Sequence, residues 1–221
     1  MIKPNFEKCT TLATELLYAQ NIRNRVLNIQ KLNYGNKNIT FDTIQNYAQI
    51  VKRPLSDFYR KDKPILKDGC LLIVDEDTYI VLYNAEITYW EHLNWTLAHE
   101  VGHIYLGHKE DGELEEIEAH FFAAQLFMPE YSIYMMSKEH GAIDAETISE
   151  VFGVSPEAAT RRIRTMNRKC SYRASRIDKE IWDIQRKRVE IYFECNKNRY
   201  EYREILNFSL YIEDMQILYA H

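Results

Sequence analysis

Cysteine is scarce and scattered in this sequence. The four cysteines of the 221 residues stand at positions 9, 70, 170 and 195, and no two of them form a CxxC pair. This spacing argues against a cysteine-rich zinc ribbon and against the disulfide framework of a small secreted domain. It favours a protein of the reducing cytoplasm.

Long apolar runs are also absent. No stretch approaches the roughly 18 apolar residues of a membrane-spanning helix, and the opening MIKPNFEKC lacks the apolar core of a secretion signal. Internal repeats and low-complexity linkers are missing too. The composition, 46% hydrophobic and 13% aromatic, is typical of a globular protein with one domain and an appendage, or with two small domains.

Charge is distributed unevenly, although the net charge is only −5. Between Arg161 and Arg188, eleven Lys and Arg residues stand against three acidic residues, a net charge of about +8. Six acidic residues fall between Glu110 and Glu118. Such segregation indicates either separate roles for these segments or simply two solvated helix faces.

Local patterns predict a small sheet among helices. The runs CLLIV and TYIVLY, at 70–74 and 78–83, are apolar and separated by an acidic turn, which predicts a β-hairpin or two neighbouring strands. Helical periodicity, caps and Gly or Pro stops predict the other elements. These are one or two helices over 5–31, a turn over 33–38, a helix over 43–51 capped by Thr40 or Asp42, helices over 89–106 and 113–128, a helix-turn-helix pattern over 144–167 in which Ser155 caps the second helix, and one or two helices over 176–220.

The pentapeptide HEVGH at 99–103 is typical of a zinc-binding helix. Residues four apart share one helix face, with Cβ atoms roughly 5–6 Å apart, so the imidazoles of His99 and His103 can reach one zinc ion. Glu100 is offset by about 100° and can instead take a proton from a water that attacks a carbonyl group. Gly102 allows another backbone element to pack closely against this helix.

A catalytic zinc site needs a third protein ligand. Candidates lie at the acidic start of the next predicted helix: Glu113, Glu115, Glu116 and Glu118. The apolar stripe of that helix is predicted to run through Leu114, Ile117, Phe121, Ala124 and Phe127 or Met128. Glu116 and His120 then lie four apart on one edge of the stripe, whereas Glu118 lies about 200° from Glu116. The alternative is that the glutamates only solvate the helix N-terminus, where the helix dipole favours them.

Two blocks together resemble the ImmA/IrrE family of metallopeptidases. WTLAHEVGHIYLGH, from Trp95 to His108, is similar to the family's helix TLAHE-x-GH-x-x-LGH. EIEAHFFAAQLFMP, from Glu116 to Pro129, is similar to its helix E-x-x-A-N-x-FAA-x-L-x-MP. The preceding segments, with Asp68-Gly69 and Tyr83-Asn84, fit the family layout as well, so the resemblance spans roughly residues 65–165.

The resemblance implies that His99, His103 and Glu116 bind zinc and that Glu100 is the general base. The sequence departs from the family at His120, where Asn is usual, which makes His120 a candidate for an extra or alternative ligand. His120, His108 and Tyr105 are also candidates for contacts with the ligands or for stabilising the oxyanion.

The C-terminal half allows two interpretations. Residues 145–166, with a basic second helix, suit a DNA-binding helix-turn-helix or a helical hairpin that packs on the catalytic unit. The hairpin is favoured because similar segments follow the Met-Pro motif in the resembled family. The basic helix could equally dock an acidic partner protein, and the Tyr-rich residues 176–221 could cap the core, form a dimer or bind a substrate protein.

We therefore expect an α+β, zincin-like fold with a small sheet, an HExxH helix, a glutamate-bearing helix and a helical C-terminal extension. The expected divisions are an N-terminal helical segment over 1–64, a zinc metallopeptidase core over 65–143, a helix-turn-helix-like segment over 144–169 and the extension over 170–221. The expected activity is zinc-dependent endopeptidase cleavage of a regulatory protein, since family members cleave helix-turn-helix repressors of mobile elements or prophages. The alternative is a non-proteolytic regulator or antidote that keeps the zinc site and binds DNA or a partner protein.

Overall fold

The computed structural model describes residues 3–22, 27–61, 63–110, 112–166 and 174–196. These residues form two compact units. The first unit takes the chain up to Leu12 and Asn28–Ala123, and the second takes Ala13–Leu27 and the chain from Ala124 onward. Helices and a small sheet together make the α+β architecture that the sequence predicts. Among the described residues, no helix is long and apolar enough to cross a membrane.

The predicted hairpin is confirmed in the first unit. Strand β4 (Gly69–Ile73) pairs antiparallel with β5 (Thr78–Tyr83), with Gly69 opposite Tyr83 and Ile73 opposite Tyr79. The acidic turn closes when the backbone N–H of Asp77 donates to the Asp75 carboxylate at 3.0 Å. Asp favours such turns because its short side chain can accept a hydrogen bond from the backbone two residues later.

A third strand, β1 (Asn38–Thr43), was not predicted. It pairs parallel with β5, so the strand order is β1-β5-β4 and β5 is central. Its presence corrects the predicted cap of the following helix, α2 (Ile44–Ile50), because Thr40 and Asp42 belong to the strand. The cap is Thr43, whose side-chain oxygen accepts the N–H of Asn46 at 3.1 Å.

The sheet has a helix against it on each side. On one side, α2 and the one-turn 3-10 helix Leu55–Phe58 form an apolar cluster with β5, comprising Ile44, Ala48, Phe58 and Leu82. The short pair β2 (Tyr59–Arg60) and β3 (Lys63–Leu66) follows directly. Side chains alternate along a strand, so the buried Val81 points to the other side, where α3 (Trp90–Leu106) packs on β4 and β5.

Helix α3 ends where the sequence predicts. Gly107 adopts a left-handed conformation with φ of 74°, its N–H bonds to the Ile104 carbonyl at 3.2 Å, and the N–H of His108 bonds to the His103 carbonyl at 3.0 Å. Glycine adopts this conformation without the steric cost of a Cβ atom. Most of α3 from Asn94 onward is buried, so its side chains are held in fixed places.

Two further helices frame the first unit. Helix α4 (Glu113–Phe127) ends before Pro129, as predicted, and α1 (Phe6–Gln20) is followed by a 3-10 turn at Ile29–Lys31. The rings of Phe6 and Phe121 lie 4.6 Å apart, and the Lys8 ammonium donates to the Leu106 carbonyl at 2.7 Å. The start of α1 is thereby fixed to the end of α3 and to α4.

The second unit is helical. It contains α5 (Glu130–His140), α6 (Ala145–Phe152), α7 (Pro156–Met166) and α8 (Arg176–Cys195). Ser155 caps α7 as predicted, since its hydroxyl accepts the N–H of Ala158 at 3.1 Å. Helix α8 confirms the first part of the helical prediction over 176–220, and residues 197–220 lie outside the described residues.

Candidate metal centre

The two histidines of HEVGH face each other across one turn of α3. Their Nε2 atoms lie 3.1 Å apart, and their exposed fractions are 9% for His99 and 5% for His103. The helical spacing brings them together, and burial of α3 against the sheet restricts their rotamers. Two ring nitrogens of α3 thus point at one place.

Glu116, at the start of α4, completes the group. One carboxylate oxygen lies 3.2 Å from Nε2 of His99 and the other lies 3.5 Å from Nε2 of His103. Hydrogen bonding to His103, and then to His99, holds the pKa of the Glu116 carboxyl well below its usual range. Its side chain is 45% exposed, so the group is open to solvent on the side of α4.

The spacing of these atoms fits a metal ion. Ligand atoms held at about 2.0–2.2 Å from one tetrahedral ion are about 3.3–3.6 Å apart. The contacts at 3.1, 3.2 and 3.5 Å, the last two made by different oxygens of Glu116, are close to that range. With one ligand atom from each residue, the atoms lie within 4.8 Å of one another. Within the part of the chain described, these three residues are the group able to hold a metal. Two imidazoles and one carboxylate form a donor set that suits zinc, with one position left for water or substrate.

A close helix contact sets the distance between the two halves of this group. A Cβ atom on Gly102 would lie 3.1 Å from the backbone oxygen of Ala119 and 3.2 Å from a ring carbon of Phe122. Glycine therefore lets α3 and α4 approach closely, as the sequence predicts.

The predicted apolar stripe of α4 is wrong at Ile117, which is 42% exposed. The later turns of this helix are buried on several sides, so the helix has no single apolar face there. The buried residues are Ala119, Phe121, Phe122, Ala123 and Leu126.

Glu100 lies against the first residue of strand β4. Its Oε1 would be 3.0 Å from a Cβ atom on Gly69, and Cγ2 of Thr96 would be 2.7 Å from the same atom. A side chain at position 69 would thus displace the carboxylate, so this glycine keeps the space that Glu100 occupies. Glu100 is 9% exposed and is not a member of the His99, His103 and Glu116 group.

Glu118 serves a different histidine from Glu116, as its angular offset on the helix requires. Its Oε2 lies 3.0 Å from Nε2 of His108, and Nδ1 of His108 lies 3.0 Å from Nδ1 of His103. Burial lowers the pKa of His108, and the hydrogen bond to Glu118 opposes this effect. His108 therefore contacts a member of the metal group from behind.

The structure separates the other two candidates. The ring of His120 lies 4.3 Å from that of His99, and the His120 side chain is exposed beside the metal group. Tyr105 instead donates its hydroxyl to the Tyr34 carbonyl at 3.3 Å, and burial raises its pKa to about 12. The Tyr105 hydroxyl is thereby committed to holding the fold together.

Sequence reasoning missed one participant. The backbone N–H of Asn5 donates to Oε1 of Glu118 at 2.6 Å, so the first residues of the chain reach the surroundings of the metal group. This contact spans 113 positions, and no local pattern indicates it.

Comparison with known proteins identifies a family match that covers the helices of the metal group. A peptidase family model described as IrrE N-terminal-like domain matches residues 49–164, which is more than half of the chain and includes α3 and α4 entirely. No curated protein matches the chain significantly.

Proposed function

Because the chain belongs to the ImmA/IrrE family of peptidases, we propose that it is a zinc-dependent endopeptidase that cleaves a specific regulatory protein. The observation that carries this proposal is the convergence of two Nε2 atoms and a carboxylate, whose ligand atoms lie within 4.8 Å of one another. The group lies on the two helices that the family match covers.

His99, His103 and Glu116 are proposed to hold the metal. Zinc bound by three protein ligands would polarise the substrate carbonyl and lower the pKa of a water molecule. Glu116 is proposed to bind as the carboxylate, and its lowered pKa favours this form. The exposed edge of the group beside Glu116 is where a peptide would enter.

Glu100 is proposed as the general base and then the general acid. Its carboxylate would accept a proton from the attacking water and deliver it to the amine that leaves when the peptide bond breaks. General acid–base catalysis of this kind typically contributes about 10²–10⁴-fold to a rate. In support of this role, Gly69 leaves free the space beside β4 that the carboxylate occupies, and Glu100 is not one of the three side chains of the metal group.

The nature of the substrate follows from the family. A peptidase acts on proteins or peptides, and the resemblance implies a helix-turn-helix repressor encoded nearby. We propose such a repressor as the substrate and the cytoplasm as the place of the reaction. For this chain itself, we propose domain boundaries at residues 64, 143 and 169. The exposed basic residues of α7 and α8 are proposed to help bind the substrate.

The test is to incubate the zinc-loaded protein with the product of a neighbouring repressor gene. We expect a discrete cleavage product with the parent protein and none with His99→Ala or with Glu100→Gln. Glu100→Gln must still bind zinc for this comparison to test catalysis. If the parent binds zinc and the repressor but leaves it intact, the non-proteolytic regulator becomes the better proposal.

A further inference from the structure

A second polar cluster lies directly behind the proposed metal ligands. It consists of His108 and Glu118, joined by the 3.0 Å contact between Nε2 and Oε2. Their side chains are only 9% and 13% exposed, so water competes weakly for these contacts. The cluster touches the metal group where Nδ1 of His108 lies 3.0 Å from Nδ1 of His103.

The hydrogen-bonding capacity of these groups fixes where the protons lie. A carboxylate only accepts hydrogen bonds, so Nε2 of His108 must carry the hydrogen shared with Glu118. A neutral imidazole has one N–H, so Nδ1 of His108 is an acceptor. Nδ1 of His103 is then the donor, and its other nitrogen, Nε2, faces His99 and Glu116.

We propose that Glu118 and His108 are positioning residues for the metal ligand His103. Glu118 selects the tautomer of His108, and His108 then holds the His103 ring by accepting its Nδ1–H. This inference rests on the proposed function, in which His103 binds the metal. Hydrogen bonds to the distant nitrogen of a metal-bound histidine fix ring orientation and increase ligand basicity.

The two histidine ligands differ in this respect. Nδ1 of His99 is buried, and no hydrogen-bond partner is found for it among the described residues. The orientation of His99 is therefore set by packing, whereas that of His103 is set by a directed hydrogen bond. Changes at His108 or Glu118 should act on the metal through His103.

Glu118 is itself held in place by the start of α1. Its Oε1 accepts the N–H of Asn5 at 2.6 Å while Oε2 faces His108. Both oxygens must accept a hydrogen bond, and a glutamine offers only one acceptor. Glu118→Gln therefore breaks the arrangement with almost no change in volume, which makes it a sharp test.

The first experiment reads the ring nitrogens by long-range ¹H–¹⁵N NMR of the full-length protein, without and with zinc. We expect His108 to be protonated at Nε2 and His103 to be protonated at Nδ1 in both states. His108 protonated at Nδ1 would overturn the inference. Loss of the slowly exchanging Nδ1–H of His103 is expected in His108→Leu and its return in His108→Asn, whose side-chain oxygen can accept at the place of Nδ1.

The second experiment measures zinc affinity by competition with a chelator. Loss of such outer hydrogen bonds costs about 10–100-fold in metal affinity, so His108→Leu and Glu118→Gln should weaken zinc binding by that factor and His108→Asn should recover most of it. Folded variants with parental affinity would overturn the inference. If His108→Leu fails to fold, Glu118→Gln carries the test alone.

Neither experiment uses a substrate, so the two proposals can fail separately. The expected tautomers and affinities without cleavage of any peptide would support this inference and contradict the peptidase proposal. Cleavage of the substrate by the parent, together with normal zinc binding by Glu118→Gln, would support the peptidase proposal and contradict this inference.

Discussion

Replacing Gly102 by alanine should weaken metal binding as well as folding. The added Cβ would lie 3.1 Å from the Ala119 carbonyl oxygen and 3.2 Å from the Ala119 Cα, where ordinary contact begins at 3.4 Å. Both neighbours are backbone atoms, so α3 and α4 must separate by about 0.3 Å to relieve the overlap. His99 and His103 lie on α3 and Glu116 on α4, so their spacing must change too.

The expected magnitudes of the two effects are comparable. Overpacking costs about 1–3 kcal/mol, and replacing glycine by alanine in a helix returns about 1 kcal/mol, so the free energy of unfolding should fall by about 0–2 kcal/mol. Metal sites tolerate ligand displacements of about 0.2 Å. We therefore expect the zinc Kd to rise about tenfold, which is about 1.4 kcal/mol of binding free energy.

Urea unfolding of the zinc-free protein and chelator competition measure these two quantities. Gly35→Ala is the matched control, because Gly35 has a φ of +67° and nothing within 4 Å of an added Cβ. It should lose about 1–2 kcal/mol of stability through backbone strain and keep its zinc affinity. The reasoning is refuted if Gly102→Ala binds zinc as tightly as the parent, or if Gly35→Ala loses as much affinity.

Three further changes test the proposed roles. Glu116→Gln should lower zinc affinity at least tenfold, since it removes a charged ligand. The control Glu113→Gln, in the same first turn of α4, should leave the affinity unchanged. Equal losses in the two variants would mean that Glu116 only solvates the helix N-terminus. Glu100→Gln should bind zinc with parental affinity while kcat falls by about 10²–10⁴-fold, and a comparable kcat would mean that another base acts. Arg161→Glu combined with Arg164→Glu should raise KM and slow association with little change in kcat. The same charge change at exposed lysines of the first unit is the control and should change KM less. Parental kinetics in the arginine variant would show that these residues do not dock the substrate.

The parts of the fold that local sequence determines were predicted correctly. The hairpin of β4 and β5, the end of α3 at Gly107 and the cap of α7 at Ser155 each depend on residues within a few positions of one another. Turn residues, caps and a glycine stop act through short-range hydrogen bonds. For these elements, the sequence pattern and the structure contain nearly the same information.

The parallel strand β1 shows where local reasoning ends. In its sequence, NITFDT, apolar residues alternate with polar residues that also suit the start of a helix. Its partner β5 begins about 40 residues later in the chain. A parallel pair requires a crossover connection, so neither strand carries a turn signal for the other. The predicted helix cap at Thr40 or Asp42 was wrong for this reason.

The candidate site was predictable in part because helical angles are local quantities. The spacing of four residues brings His99 and His103 together, and the offset of about 200° between Glu116 and Glu118 separates the two carboxylates. The apolar stripe used to orient α4 was nevertheless wrong at Ile117. A helix buried on several sides has no single apolar face, so the offset between the two glutamates was a better guide than the stripe.

Within the described residues of the 161–188 segment, part of the positive charge is not available to a partner. Arg162 is 1% exposed, and its Nε donates to the Met128 carbonyl at 3.0 Å, so this arginine supports the second unit and is not available to a partner. Arg188 is half-buried, with its guanidinium carbon 5.7 Å from the centre of the Phe152 ring. A count of arginines in the sequence includes both.

Acidic neighbours offset more of this charge. Arg161 pairs with Glu157 at 2.7 Å, and Arg186 lies 3.2 Å from Glu139. Exposed pairs of this kind stabilise the fold by about 0–1 kcal/mol, but each one reduces the field that a distant partner experiences. DNA binding needs many phosphate contacts and therefore depends on the total charge, whereas docking of a protein needs only a few well-placed side chains. Among the described residues, these pairs and the buried Arg162 reduce the positive charge that either kind of partner would meet.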